Sequence, residues 1–155
     1  MKQFLVVQAD AVFRECLAIV LEWSTELQAL QAGSVEGARR ALADPRNKVQ
    51  LAIVDIDSPN GNPLELIEEL RGSDPHLPIL ALTTADWSLE RRARALRAEA
   101  DQVFDSSGAL EEIIDSVRRL VSGSQTTNGH RGMEIVAKSR MTYSLMTTTS
   151  EEYGA

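Results

Sequence analysis

The sequence predicts an α/β domain built on a parallel sheet. Short apolar runs bounded by turn residues alternate along the chain with stretches whose apolar residues recur at the spacing of a helix. This alternation is typical of βαβ units, in which helices cover a parallel sheet. The length of 155 residues also suffices for one domain with its own hydrophobic core. We therefore expect five strands and five helices in alternation.

Five apolar runs mark the predicted strands. They lie at residues 3–7, 26–31, 49–54, 77–82 and 102–104. The third and fourth runs are the most continuously apolar, which is typical of central strands that are buried on both faces. These two strands should therefore lie in the middle of the sheet.

Each predicted helix carries an apolar stripe along one side. The stripes consist of Phe13, Cys16, Leu17, Val20 and Leu21; Val35, Ala38 and Leu42; Leu66, Ile67 and Leu70; Leu89, Ala93 and Leu96; and Leu110, Ile113, Ile114, Val117 and Val121. We expect all of them to face the core, including Cys16, the single cysteine of the chain. Ser34 and Ser88 precede the second and fourth helices, where N-cap residues are found.

The pattern changes after residue 121. Residues 122–155 are rich in Ser and Thr, and no apolar stripe there is long enough to cover a core. We expect a domain over residues 1–121 and a flexible tail over residues 122–155. An alternative for part of the tail is that residues 133–146, MEIVAKSRMTYSLM, form a short segment on a partner. A tail of this kind does not supply a three-helix DNA-binding module.

The composition excludes several classes of partner. A formal net charge of −7 argues against direct binding of nucleic acid, because contacts to the phosphate backbone need clustered Lys and Arg. No apolar run approaches the roughly 20 residues that span a bilayer, and no signal-peptide block follows Lys2. We therefore expect a cytoplasmic protein with neither membrane nor direct nucleic-acid contacts.

Polar residues follow the predicted strands where these end. In an open parallel sheet, ligands bind at the carboxyl ends of the strands, beside the point where the strand order reverses. The sharpest signal is Asp55 in LAIVDIDSPNG, because a carboxylate that closes a central apolar strand is costly unless a polar or cationic group meets it. The alternative is that Asp55 only caps a loop or accepts from a backbone amide. Thr83 and Thr84 follow the fourth strand in the same way.

Four segments of the chain resemble the receiver domains of two-component response regulators, most closely those of regulators with a helix-turn-helix output domain. They are FLVVQADAVFRECLAIVLE, LAIVDIDSPNGNPLELIEELR, LPILALTTADWSLERRARALRAEADQVF and GALEEIIDSVRRLVSG. The resemblance covers about residues 3–121. It implies a flavodoxin-like (βα)5 three-layer sandwich with strand order 2-1-3-4-5. It also implies transfer of a phosphoryl group from a histidine kinase to an aspartate.

Part of the family's site is retained. By the resemblance, Asp55 is the phosphoacceptor, and Pro59 stands four residues later, where the family usually has a loop proline. Thr83 matches the hydroxyl residue that hydrogen-bonds the phosphoryl oxygen and moves on activation. Thr84 matches the small residue beside it.

Another part of the site departs from the family. The acidic pair that holds Mg²⁺ falls at Gln8 and Ala9. The lysine falls at Ser106, and the aromatic switch residue falls at Val103. With Asp55 as the remaining carboxylate of the family's set, we expect Mg²⁺ to bind weakly. Loss of the lysine removes a charge-assisted hydrogen bond of roughly 1.5–3 kcal/mol.

Two further carboxylates are candidate substitute ligands for Mg²⁺. Asp10 lies one residue beyond the lost pair, and Asp57 lies two residues beyond Asp55. Each has an alternative interpretation. Asp10 also fits the N-cap of the first helix, and Asp57 also fits a solvated charge of the loop.

The fourth and fifth predicted helices are strongly charged. We expect Arg91, Arg92, Arg94 and Arg97 on or near one exposed side of the fourth helix. The resemblance implies that these two helices and the fifth strand form the surface for partners or for a homodimer. The simpler interpretation is two solvated amphipathic helices.

The residues and the resemblance together favour a signalling module over an enzyme. The first hypothesis is an atypical receiver that acts by protein–protein interaction in signal transduction or transcriptional control, with impaired or dispensable phosphorylation. The second is a working phosphoacceptor, phosphorylated on Asp55 by a histidine kinase in a phosphorelay. A third is a small α/β enzyme that uses Asp55 and Thr83, but the sequence shows neither a nucleophile–base pair nor a glycine-rich phosphate loop. The expected partner is a histidine kinase or another signalling protein.

Overall fold

The structure, a computed structural model, describes residues 2–83, 89–108 and 110–123. Five strands and five helices alternate in this part of the chain. In order they are β1 (Lys2–Val7), α1 (Ala11–Ser24), β2 (Gln28–Ala32), α2 (Val35–Ala43), β3 (Lys48–Asp55), α3 (Pro63–Ser73), β4 (Ile79–Thr83), α4 (Leu89–Arg97), β5 (Gln102–Asp105) and α5 (Leu110–Gly123).

The strands form one parallel sheet in the order β2-β1-β3-β4-β5. The chain moves from β1 outward to β2 and then returns to the other side of β1, so the strand order reverses between β1 and β3. Ligand crevices of parallel α/β sheets lie at this point, outside the carboxyl ends of the strands. The predicted flavodoxin-like fold and its strand order are confirmed.

Helices cover both faces of the sheet. On one face, Leu5 and Val54 belong to a core cluster that includes residues of α2, α3 and α4. On the other face, Val6 and Ile53 belong to a cluster with residues of α1 and α5. Because successive residues of a strand point to opposite faces, a strand covered on both sides must be apolar at successive positions, as residues 4–7 of β1 and 51–54 of β3 are. The result is the predicted three-layer sandwich.

Polar residues start the first three helices, as N-cap chemistry requires. The Asp10 carboxylate accepts from two amides of the first turn of α1, and the Ser34 hydroxyl accepts from the amide of Gly37 at 3.0 Å. Asn62 caps α3, and Pro63 follows it in the first turn, where a missing amide proton costs nothing.

The prediction that Cys16 faces the core is wrong, because its side chain is exposed. In α1 the buried side contains Leu17 and Leu21, whereas Val12 and Trp23 are 73% and 88% exposed. Residues 12, 16 and 23 share one side of a helix with 3.6 residues per turn. The helix therefore turns Cys16 away from the sheet, although its immediate neighbour in sequence is buried.

The prediction that Arg92 lies on an exposed side of α4 is also wrong. Arg92 is 5% exposed, and Ala95 and Ala98 are buried at the same helical spacing. The residues predicted to face inward, Ala93 and Leu96, are half-buried. Because α4 packs between α3 and β5, its small alanines approach the neighbouring elements most closely. This contact sets the buried side of the helix.

The fifth helix differs from the prediction at both of its ends. The last helix continues to Gly123, past the predicted domain end at residue 121, and Leu110 at its start is 37% exposed rather than in the core. The predicted cap Ser88, the side chain of Leu89 and the predicted tail from residue 124 onward lie outside the described residues. Of the helices that the structure describes, none is long and apolar enough to cross a membrane.

Candidate functional site

The carboxyl ends of the central strands meet at one edge of the sheet. Strand β3 ends at Asp55, and its neighbour β4 ends at Thr83. The amide of Ser106, just after β5, donates to the carbonyl of Thr83 at 2.9 Å and keeps the third strand end level with them. We call the site that they form the crevice and define it as Gln8, Asp55, Asp57, Thr83 and Ser106.

Asp55 is a buried carboxylate at the centre of the crevice. It is 5% exposed, and one of its oxygens accepts from the backbone amide of Asp57 at 2.9 Å. Burial raises the pKa of Asp55, and the negative charge of Asp57 raises it further, while the amide of Asp57 and the side chain of Gln8 act in the opposite direction. The ionised form of Asp55 is thus only partly compensated by its surroundings. The contact with a backbone amide that the alternative interpretation names is present, and the phosphoacceptor role of Asp55 stays a prediction.

Asp57 bridges two elements across the crevice. Its Oδ2 accepts from the hydroxyl of Thr83 at 2.8 Å, and its Oδ1 pairs with Nη1 of Arg91 at 2.5 Å. The side chain of Asp57 is 14% exposed, so the alternative of a solvated loop charge is wrong. Arg91 belongs to the first turns of α4. The loop after β3 is therefore joined to both β4 and α4 through one carboxylate.

The end of β1 offers an amide where the family has carboxylates. Gln8 is buried, and its Oε1 accepts from the amide of Asp10 at 3.2 Å. The guanidinium of Arg14 donates to the carbonyl of Gln8 at 2.8 Å. Ala9 is exposed and has no polar side-chain atom. This side of the crevice is well ordered by hydrogen bonds but carries no negative side chain at residues 8 and 9.

Asp10 starts α1. One of its carboxylate oxygens accepts from the amides of Val12 and Phe13 at 3.0 and 3.1 Å. The predicted N-cap role is confirmed, and the same oxygen is therefore occupied by backbone donors. A metal-binding role for Asp10 or Asp57 stays a prediction.

Position 106, directly after β5, carries no charged side chain either. The hydroxyl of Ser106 donates to the carbonyl of Thr83 at 3.3 Å, so this side chain is directed at the backbone. Val103, at the position of the family's aromatic switch residue, is 4% exposed in the same core cluster as Ala95 of α4. The side chain of Val103 packs against α4, and it has no polar group that could extend to the surface.

Thr84 lies outside the described residues, and its predicted role stays a prediction. In residues 2–83, 89–108 and 110–123, His, Cys, Asp and Glu form no group of three that could hold a metal ion. The sequence predicts Arg91 on the exposed side of the fourth helix but not its pairing with Asp57, because this contact joins segments 34 residues apart.

A parallel sheet in this order, with an aspartate at the end of β3 and a hydroxyl residue at the end of β4, defines the class of receiver-type α/β signalling domains. The sequence pattern of the response regulator receiver domain matches residues 4–118. The chain belongs to this family.

Among curated proteins, the chain is 32% identical over 119 residues to the "Response regulator MprA" of Mycobacterium tuberculosis (strain ATCC 25618 / H37Rv), covering 77% of the chain and 50% of the relative. It is 26% identical over 135 residues to the "Probable transcriptional regulatory protein TcrX" of the same strain, covering 85% and 55%. The chain spans about half the length of these relatives.

Solved structures agree on the fold. A CheY-like response regulator receiver domain protein from Methanospirillum hungatei JF-1 superposes with a TM-score of 0.71 at 20% identity, covering 82% of this chain and 99% of that one. A response regulator receiver domain protein from Clostridium thermocellum gives a TM-score of 0.70 at 16% identity, covering 81% and 98%. At these identities the similarity concerns the fold alone.

Proposed function

We propose that this chain is an atypical receiver that acts in signal transduction or transcriptional control through protein–protein interaction, with impaired or dispensable phosphorylation of Asp55. One observation carries the proposal. The crevice keeps an acceptor carboxylate and a hydroxyl at Thr83, but neutral side chains stand at the three positions where the family has charged groups, which are Gln8, Ala9 and Ser106.

The donor atoms of the crevice fit a family-type Mg²⁺ site poorly. Mg²⁺ prefers carboxylate, phosphate and water oxygens in octahedral geometry. The amide oxygen of Gln8 already accepts from a backbone amide, and the carboxylate of Asp57 already meets a hydroxyl and a guanidinium. Mg²⁺ bound at Asp55 would compete with these donors for the side-chain oxygens of Gln8 and Asp57. We therefore propose that Mg²⁺ binds weakly.

The missing lysine weakens stabilisation of a phosphoryl group. Phosphoryl transfer depends almost wholly on positioning and on cations that neutralise developing charge. The Ser106 hydroxyl carries no charge, and in the structure it donates to a backbone carbonyl. A charge-assisted contact of roughly 1.5–3 kcal/mol corresponds to a rate difference of about 10- to 150-fold.

We propose that binding of a partner, rather than covalent modification, sets the state of this receiver. A partner that binds one conformation more tightly shifts the population toward it. The expected partner is a histidine kinase or another signalling protein in the cytoplasm, and the chain acts as a binding module rather than an enzyme. The surface of α4, β5 and α5 is the proposed face for a homodimer, and residues 124–155, which follow α5, are the proposed tail.

The second candidate function is a working phosphoacceptor. Retention of Asp55 at the buried end of β3, beside Thr83 at the end of β4, favours it. In that case a histidine kinase phosphorylates Asp55 despite the altered surroundings. The two functions differ in one measurable quantity, the phosphoryl occupancy of Asp55.

Intact mass after incubation with acetyl phosphate and Mg²⁺ separates the two functions. For the unmodified sequence we expect no more than a trace of the adduct of one phosphoryl group. A variant that restores the family's residues, Gln8→Asp with Ala9→Asp and Ser106→Lys, should form the adduct roughly 10- to 150-fold faster, from the stabilisation that the lysine alone supplies.

Asp55→Asn in both backgrounds is the control for the site of modification. A rapid adduct in the unmodified sequence that disappears in Asp55→Asn would overturn the proposal and establish the second function. A restored variant that forms no more adduct than the unmodified chain would show that the three neutral positions do not limit the reaction. That result would also contradict the proposal.

A further inference from the structure

The contacts of Asp57 suggest what controls the crevice. One of its oxygens holds the hydroxyl of Thr83 at 2.8 Å, and the other holds the guanidinium of Arg91 at 2.5 Å. Both partners are groups that bind anions, since a hydroxyl donates and a guanidinium is a permanent cation. Asp57 therefore already supplies the anion at this place in the crevice.

The hydroxyl of Thr83 has a single proton, so it donates to one acceptor at a time. Thr83 is 2% exposed, and its side chain has little room to turn toward a different acceptor. An external anion that needs this proton must first displace the carboxylate of Asp57. The same anion would meet the negative charges of Asp55 and Asp57, which are balanced in part by Arg91.

The net charge of the side chains in the crevice strongly affects the competition between Asp57 and an external anion. With Asp55, Asp57 and Arg91 ionised, the three side chains sum to one negative charge. Replacement of Asp57 by asparagine brings the sum to zero and replaces the charged acceptor of the Thr83 proton by a neutral amide oxygen, which an anion displaces more easily. Arg91 is 46% exposed, so its guanidinium can reach an anion that enters from solvent.

We infer that Asp57 is an internal anionic ligand, which holds the hydroxyl of Thr83 and the start of α4 where a phosphate-like anion would otherwise bind. This inference deepens the proposed function and rests on it, since it names what occupies the crevice in an atypical receiver. Asp57 and Arg91 act as positioning residues. They connect α4, which is part of the proposed partner surface, to the loop after β3. This connection needs no phosphoryl group.

Hydrogen exchange of the full chain tests whether the pair of Asp57 and Arg91 holds α4 in place. In Asp57→Asn, amides of residues 93–97 should exchange about three- to tenfold faster than in the unmodified chain, as expected when a partly buried charge-assisted contact is lost and the helix opens more often. Arg91→Gln breaks the same pair from the other side and leaves Asp57 beside Thr83. It should give a similar increase.

Glu90→Gln is the matched control. It makes the same chemical change, a carboxylate to an amide, next to an arginine of the same helix, because Glu90 pairs with Arg94 on the exposed side of α4. Exchange in this variant should stay within about a factor of two of the unmodified chain, since exposed pairs of this spacing contribute little. Equal exchange in Asp57→Asn and Glu90→Gln would overturn the inference.

Titration with inorganic phosphate, followed by the amide resonance of Thr83, tests the competition. In Asp57→Asn we expect a saturable shift that the unmodified chain lacks at the same concentrations, and the shift should disappear when Arg91→Gln is added. No shift in Asp57→Asn would refute the anion-binding part of the inference.

These readouts are independent of the acetyl phosphate reaction. Rapid phosphorylation of the unmodified chain together with faster exchange in Asp57→Asn would refute the proposed function alone. Slow phosphorylation together with unchanged exchange would refute only the role of Asp57.

Discussion

Two aspartate–arginine pairs stand at opposite ends of the sheet and have different surroundings. At the amino end of the strands, Arg71 of α3 pairs with Asp101 at 3.0 Å, and their side chains are 13% and 23% exposed. At the carboxyl end, Arg91 pairs with Asp57, and the guanidinium is 46% exposed. The residue types are the same, and the difference lies in the exposure of the two arginines and in the other groups that contact each pair.

Backbone groups surround the first pair. The guanidinium of Arg71 also donates to the carbonyls of Pro75, Leu77 and Glu99. The carboxylate of Asp101 also accepts from the amide of Ile79, at the start of β4, at 2.7 Å. Every one of these contacts fixes a chain segment, so the pair belongs to the scaffold.

The second pair meets a side-chain hydroxyl instead. Asp57 holds Thr83, and its partner Arg91 is nearly half exposed. Solvent reaches the Asp57–Arg91 contact on the arginine side, so this contact can be exchanged for another without unfolding the domain. We infer that position in the sheet, rather than residue type, decides whether such a pair stabilises the fold or controls the crevice.

The largest effect is expected from Arg71→Ala. It leaves Asp101 without its cation and several backbone carbonyls without a donor, so the free energy of unfolding should fall by about 2–4 kcal/mol. Urea unfolding followed by circular dichroism measures the change. Arg71→Lys keeps the charge but cannot reproduce the planar fork, so it should recover only a minor part of the loss. A loss below about 1 kcal/mol in Arg71→Ala would contradict the scaffold role.

A smaller effect of opposite sign is expected from Asp55→Asn. The folded-state pKa of Asp55 is raised above 3.8, so ionisation of this carboxyl costs stability, beginning as the pH rises through the unfolded value and complete above the folded value. Each unit of pKa corresponds to about 1.4 kcal/mol. The asparagine variant should therefore be more stable than the unmodified chain at pH 7, and the difference should vanish as the pH falls below 3.8.

Urea unfolding of both proteins at several pH values between 3 and 7 measures this difference. Asp101→Asn serves for comparison. It removes the charge of a carboxylate that pairs with a cation, so this variant should be less stable than the unmodified chain at pH 7. Equal stability of Asp55→Asn and the unmodified chain at all pH values would show that the surroundings fully compensate the charge of Asp55.

The smallest effect on global stability is expected from Arg91→Gln. Its pair is half exposed on the arginine side, so the free energy of unfolding should fall by about 1 kcal/mol or less. The same urea experiment measures it beside Arg71→Ala. A loss as large as that of Arg71→Ala would remove the distinction between the two pairs.

The sequence was sufficient for most of the fold because the strands and helices leave strong periodic signals. The continuous apolar runs of β3 and β4 and the N-caps Asp10 and Ser34 were predicted and are present. The errors concern sides of helices. Cys16 and Arg92 were misplaced because a helix that is apolar over most of its circumference, or charged over most of it, does not specify which side packs.

The site was predictable in part. The strand ends that bear Asp55 and Thr83 follow from the alternation of elements, and the resemblance to receivers located the neutral positions at Gln8 and Ser106. The use of Asp57 was not predictable, because a carboxylate in a loop has no local pattern that distinguishes a solvated charge from a bridging one. Its partners come from β4 and α4, which are distant in sequence.

The sequence by itself determined the order of the elements, the apolar layers and the residue types at the strand ends, since these depend on local periodicity and composition. The tertiary structure alone decided which charged groups meet. Coulomb and hydrogen-bond contacts need atoms within a few ångströms, and only the packing of α4 beside the sheet edge brings Arg91 to Asp57 and Asp57 to Thr83.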